Sequence, residues 1–152
     1  MNSSSDIETK ELARELLRKY RGVLDEGCLV IGLTGELGAG KTVFAKGIGE
    51  ELEVTSTINS PSYTYVMEHR FETGKLIHID LWRVEREVDF KALGINDLLS
   101  KGNVVLIEWP KSFIEQLSLP GADDYSIEYL PVEIVVNQEL REIRVGELVS
   151  LK

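Results

Sequence analysis

The chain has 152 residues, 43% of them hydrophobic, which is enough for one well-buried core and too few for two ordinary domains; residues 1–152 therefore read as a single domain, with residues 1–5 as a flexible polar lead. Its 26 acidic and 17 basic residues give a formal charge of −9, which repels a phosphate backbone and argues against direct, unaided binding of nucleic acid. The lone Cys28 excludes an internal disulfide and a cysteine-type zinc site, the start from Met1 to Asp6 lacks the order of a secretory signal, and no apolar run approaches the ~18 residues that span a bilayer.

A cytosolic protein of bacterial style, with no membrane partner, is the class that remains. Along the chain, Ser5-Asp6-Ile7-Glu8 has the form of a capping box and predicts a helix to about Tyr20 with Leu12, Leu16 and Leu17 on its buried face. Cys28 to Leu33 has the length and β-branched content of a buried parallel strand, in which Cys28 is a small hydrophobe. From Lys41 the spacing of Val43, Phe44, Ile48 and Leu52 is helical. Tyr63 to Phe71 and Leu76 to Asp80 predict an antiparallel hairpin turning at Glu72-Thr73-Gly74.

Glu85 to Leu99 predicts short helices broken near Gly94, and Val104 to Ile107 a strand that ends at Glu108 and is stopped by Pro110. Tyr125 to Leu130, Val132 to Val136 and Arg141 to Val145 alternate as three further strands, the last two paired through Asn137 to Leu140. Parallel and antiparallel strands thus share one sheet flanked by helices, a mixed α/β architecture.

The segment Gly35-Glu36-Leu37-Gly38-Ala39-Gly40-Lys41-Thr42 lies between the first long strand and a helix, the context that a phosphate-binding loop requires. Glycine permits positive φ and close backbone approach, so successive N–H groups can point at one anion while the helix start adds its unpaired N–H groups. In such a loop Lys41 carries its ammonium to the β- and γ-phosphates of ATP, and the Thr42 hydroxyl is a ligand of Mg²⁺.

Mg²⁺ takes oxygen ligands and keeps several waters, so one or two carboxylates at strand ends should complete its surroundings. Asp80 and Glu108 each end an apolar strand, where ligands gather in open α/β sheets. Glu108 is the choice for contact with Mg²⁺ or its water shell and Asp80 for a partner of the ion's outer waters or a water-orienting group, and these roles can exchange. Alternation sends Trp109 to the opposite side from Glu108 unless Pro110 bends the chain, so a packed aromatic is its plain reading. His78 shares a face with Asp80, but neither His69 nor His78 has a metal-like spacing, and a satisfied histidine is the reading for each.

Five segments in this order resemble the TsaE (YjeE) family: Gly35 to Thr42, Ser60-Pro61-Ser62-Tyr63-Thr64, His78-Ile79-Asp80-Leu81-Trp82-Arg83, Leu93-Gly94-Ile95, and Leu106-Ile107-Glu108-Trp109-Pro110. The likeness runs over roughly Glu8 to Val145, and the combination is far more specific than the phosphate loop alone. It implies a three-layer P-loop fold and an ATPase needed for N6-threonylcarbamoyladenosine formation in tRNAs that read codons beginning with A. The family works with TsaB and TsaD, so tRNA is held mainly by those partners.

The resemblance further implies Lys41 as the phosphate-binding lysine, Thr42 and Glu108 as magnesium ligands, Asp80 as an acid needed for hydrolysis, and Trp109 near the site. Ser60, Pro61, Ser62 and Tyr63 resemble a switch-like loop that orders around the γ-phosphate, with a proline-stiffened connection as the plain alternative. Thr9 and Arg141 stand at positions of adenine contacts, with a solvated surface role as the alternative for each. Ser62 and Trp82 replace the usual threonine and tyrosine without removing a required chemical group. Two other readings stay open: a small-molecule P-loop kinase, for which no arginine-rich lid segment follows Glu108, and a nonenzymatic module that ATP reshapes for a protein partner.

Overall fold

The most apolar segment of the chain lies at the centre of the sheet. Strand β2, Gly27–Thr34, is buried from Gly27 to Leu33 and takes a parallel neighbour on each side, so neither of its faces nor its edges meets water. In this computed structural model the described residues are 1–59, 66–81, 94–111, 114 and 124–152.

The first strand is short: β1, Asn2–Ser3, pairs with β7, Leu140–Val145. The lead expected to be flexible is therefore tied down, with Ser3 buried and the Met1 amino group donating to the Ile143 carbonyl at 3.2 Å. Helix α1, Asp6–Tyr20, begins at Ser5, whose hydroxyl accepts from the Glu8 N–H at 3.2 Å. The Glu8 carboxylate reaches back to the Ser4 N–H at 2.7 Å, one residue earlier than the usual capping-box partner. Acidic Asp6 and Glu8 in its first turn and basic Arg18 and Lys19 in its last complement the helix dipole. Its buried face is Thr9, Ala13, Leu16 and Leu17, while Leu12 is only partly covered.

Helix α2, Lys41–Leu52, lies against α1. The two approach closely at Gly47, where a Cβ would stand 2.6 Å from the Lys10 carbonyl oxygen. Lys10 with Glu50 at 2.8 Å, and Arg14 and Arg18 with Glu51 at 3.2 and 2.9 Å, bridge the pair at its rim.

Strands β3, Val66–Phe71, and β4, Gly74–Asp80, form the antiparallel hairpin; residues 63–65 of the longer expected strand lie outside the described residues. Gly94, at φ 67°, precedes the short α3, Ile95–Leu98, the described part of the helices expected between Glu85 and Leu99. The expected helix before it falls outside the described residues. Strand β5, Val104–Glu108, is buried throughout.

The expectation of separate strands at 125–130 and 132–136 is corrected by a single strand, β6, Ser126–Asn137. Proline removes a ladder donor and so suggests a break at Pro131. Here the Pro131 carbonyl accepts from the Gly146 N–H at 2.9 Å on the outer side of β6. Its missing N–H faces that same side, between the residues paired with β7 and those paired with β8, Val149–Ser150. No ladder bond is lost there.

Among the described residues the sheet order is β1-β7-β6-β2-β5-β4-β3, with β8 added to β6. The pairs β2–β5, β2–β6 and β4–β5 are parallel, and the others are antiparallel. One face packs Leu29, Ile31, Leu33 and Leu106 against Phe44, Ile48, Leu16 and Leu17 of the two helices. Each fully covered Leu, Ile or Phe contributes about 1.5–3 kcal/mol relative to exposure. The other face packs Val30, Ile77, Ile79, Val105 and Ile107 against Ile95 and Leu99, giving the three-layer α/β/α arrangement. Cys28 is buried in this second layer, and burial pushes its thiol up to about 12.

Candidate functional site

Because β2, β4 and β5 are parallel, their C-terminal ends meet at one edge of the sheet. The chain leaves β2 there through residues 35–40 and enters α2 at Lys41. Gly38 and Gly40 have φ of 79° and 108°, values that L side chains rarely adopt, and the Gly40 carbonyl accepts the first helical bond from Phe44 at 2.9 Å. Ala39 packs into the core, whereas Glu36, Leu37 and Gly38 are exposed. The core thus holds one side of the loop while residues 36–38 meet solvent. Thr42 is half-buried in the first turn of α2.

Lys41 is buried to 7% exposure, and its ammonium donates to the carbonyls of Gly35 at 2.5 Å and Glu36 at 3.3 Å. It also stands 4.7 Å above the Trp109 ring. Burial holds its pKa below the ordinary 10.5, against the opposing pull of Glu108 and then Asp80. Both strand-end acids therefore share the electrostatic field of the loop lysine.

Asp80 and Glu108 are opposite one another in the β4–β5 register, and Glu108 is opposite Leu33 of β2. Glu108 is 4% exposed, and its Oε2 lies 2.8 Å from His78 Nε2. This pairing escaped the sequence reading, which placed His78 with Asp80; it follows only from the strand register. Among the described residues His78 is paired on one side alone, its Nδ1 being buried without a partner there.

Trp109 adopts φ 61°, a left-handed conformation uncommon for a bulky residue, while its N–H donates to the Leu33 carbonyl at 3.0 Å. This bend turns the chain so that the ring both packs on the second core layer and lies under Lys41. The packed-aromatic reading and a position beside the loop hold together.

On the other flank, Arg141 donates to Thr9 Oγ1 at 2.9 Å and pairs with Asp6 at 2.9 Å. Its guanidinium packs on Gly40, where a Cβ would come within 3.0 Å of Nε. Two residues far apart in sequence are thereby brought beside the loop. A solvated role for Thr9 is corrected by its complete burial; α1 turns it inward against Ser3 and Arg141. Ser60, Pro61, Ser62 and Tyr63 lie outside the described residues.

The Thr42 hydroxyl and the Asp80 and Glu108 carboxylates are hard oxygen donors, which suit Mg²⁺. Among the described residues no group of three or more His, Cys, Asp and Glu gathers to hold a metal ion alone.

The family model described as "Threonylcarbamoyl adenosine biosynthesis protein TsaE" matches residues 3–143. The chain belongs to the TsaE family. Relatives named tRNA threonylcarbamoyladenosine biosynthesis protein TsaE include that of Haemophilus influenzae, 29% identical over 136 residues, covering 86% of this chain and 82% of the relative. That of Aquifex aeolicus is 38% identical over 107 residues, 69% of this chain and 71% of its own length. The Bacillus subtilis relative is 40% identical over 88 residues, so the match spans 58% of this chain and only 54% of that protein. The crystal structure of Bacillus subtilis YdiB superposes with a TM-score of 0.64 at 27% identity, covering 94% of this chain and 80% of that one. The family thus rests on the sequence comparisons, and the mixed α/β fold is shared with the YdiB structure.

Proposed function

We propose that this TsaE-family chain binds ATP with Mg²⁺ and hydrolyses it slowly in the cytoplasm, in support of N6-threonylcarbamoyladenosine formation on tRNA by TsaB and TsaD. The observation that carries the reading is the convergence of a complete phosphate loop with two strand-end carboxylates, Asp80 and Glu108, in the field of one lysine. Its relatives' names support the pathway, and the −9 charge supports tRNA contact through partners rather than directly.

The loop N–H groups and the α2 start would hold the phosphates, and the Lys41 ammonium would leave the Gly35 and Glu36 carbonyls for the β- and γ-phosphates. Mg²⁺, when bound, neutralises charge on the transferred phosphoryl group. Thr42 and Glu108 would hold it or its waters, while Asp80 would orient the attacking water for in-line displacement. Thr9 and Arg141, beside Gly40, are the candidates for the adenine side. Switching by residues 60–63 around the γ-phosphate completes the proposal.

The test is Mg²⁺-dependent phosphate release from ATP, with and without purified TsaB and TsaD, beside a Lys41→Ala control. Release that the pair stimulates and that Lys41→Ala lowers by at least tenfold supports the reading. Normal turnover by Lys41→Ala refutes the assignment, and stoichiometric phosphorylation of a metabolite in place of water would establish a kinase.

A further inference from the structure

The buried His78–Glu108 contact has no part in the mechanism above. His78 and Leu106 are opposite in the β4–β5 register, as are Asp80 and Glu108, so the contact is the diagonal of one sheet face. An ionised carboxylate only accepts, so His78 Nε2 donates the hydrogen. Both groups are almost wholly enclosed, with side-chain exposures of 0% and 5%. A ring locked by packing that donates to one oxygen of a carboxylate fixes the plane of that carboxylate.

We infer that His78 is a positioning residue for Glu108, holding Oε2 so that the carboxylate meets Mg²⁺ or its water shell in a single orientation. This rests on the reading of Glu108 as the magnesium-side acid. Among the described residues the hydrogen bond to Glu108 is the one that the ring's nitrogens make, Nδ1 having no partner there.

His69 provides the contrast within the same fold. It lies opposite Leu76 in the β3–β4 register, on the face that also carries His78, and is 2% exposed. Its Nδ1 meets Ser56 Oγ at 2.6 Å, and its Nε2 is also unpaired among the described residues. Removing this ring perturbs a similar burial without touching Glu108.

The test measures ADP affinity of the full chain as Mg²⁺ is titrated, with phosphate release as a second reading. The variants are His78→Gln, whose amide nitrogen reaches the Nε2 position, and His78→Asn, whose shorter side chain does not, with His69→Leu as control. His78→Asn should raise the Mg²⁺ concentration needed for half its effect by about 10–100-fold, the usual cost of losing an outer partner of a metal ligand. Its affinity for ADP without Mg²⁺ should stay within about twofold, His78→Gln should recover most of the loss, and His69→Leu should keep the wild-type Mg²⁺ dependence.

Wild-type Mg²⁺ dependence in His78→Asn overturns the inference and leaves the ATPase reading standing. Equal loss of ADP binding with and without Mg²⁺, or no recovery in His78→Gln, reduces His78 to a packing role and also overturns it. Absence of any Mg²⁺ effect in the wild-type chain removes the assignment of Glu108 itself, and the inference with it.

Discussion

Replacing Thr9 by valine separates two roles that coincide at one hydroxyl. Valine keeps the shape and β-branching, so helix propensity and packing volume change little. What disappears is an oxygen that accepts from Arg141 at 2.9 Å and lies 2.7 Å from Ser3 Oγ and 3.0 Å from the Ser5 carbonyl. Ser3 Oγ and the Ser5 carbonyl still have each other at 2.8 Å, so the main loss is the bond to Arg141. A hydrogen bond to a charged group contributes about 1.5–3 kcal/mol. Arg141 retains Asp6 at 2.9 Å and 22% exposure, which lowers the expected cost to about 1–2 kcal/mol. For a chain of this length, Tm then falls by about 2–8 °C in calorimetry. Release of Arg141 from Gly40 should also weaken ATP several-fold in equilibrium titration. Thr9→Ser keeps the hydroxyl and loses one buried methyl, costing about 0.8 kcal/mol with ATP affinity unchanged. Wild-type stability in Thr9→Val, or ATP binding weaker in Thr9→Ser than in Thr9→Val, would refute this reasoning.

Gly47→Ala should destabilise the chain despite alanine's helix propensity, which favours the change by about 1 kcal/mol. The added Cβ meets the Lys10 carbonyl at 2.6 Å and Ala13 Cβ at 2.8 Å, and overpacking of this kind costs about 1–3 kcal/mol; a higher urea midpoint than wild type would refute the close approach of α1 and α2. Lys41 should lose its proton in the nucleotide-free chain below the ordinary 10.5, so the alkaline limb of kcat/KM for ATP falls below that value, and a limb at or above it would contradict the burial effect. Between the depressed folded value and 10.5 the unfolded chain holds a proton that the folded chain has released, so this group's contribution to stability rises with pH across that window and is lost as pH falls through the folded value.

What could be read from sequence was what backbone chemistry or local period dictates. The positive φ of Gly38 and Gly40 is a demand of the loop's own backbone, and the strand-end acids are legible because parallel strands finish at the same edge. The tie between Met1 and Ile143, by contrast, spans 142 positions and leaves no local mark. Pro131 looks like a break until the neighbours of β6 show that its missing N–H faces the space between two partners. Thr9 and Arg141 gain their significance only when β7 brings them together over Gly40. The His78–Glu108 diagonal likewise depends on register, which hydrophobic pattern does not specify for strands buried on both faces.

The charge arrangement explains why this fold should depend on a metal ion and a partner for the proposed reaction. Lys41 already faces Asp80 and Glu108, and Arg141, the cation packed on Gly40, is paired with Asp6. Among the described residues, the cations beside the loop are thus largely committed before a triphosphate would enter, on a chain that is already acidic. The loop N–H groups can orient the phosphates, but charge that develops in the transition state needs stabilisation that increases there. A divalent ion at Glu108 and a cationic group from a partner would each supply it, so partner stimulation should appear in kcat more than in KM. Stimulation confined to KM would mean that the partner only improves ATP binding, and that hydrolysis is completed by this chain alone.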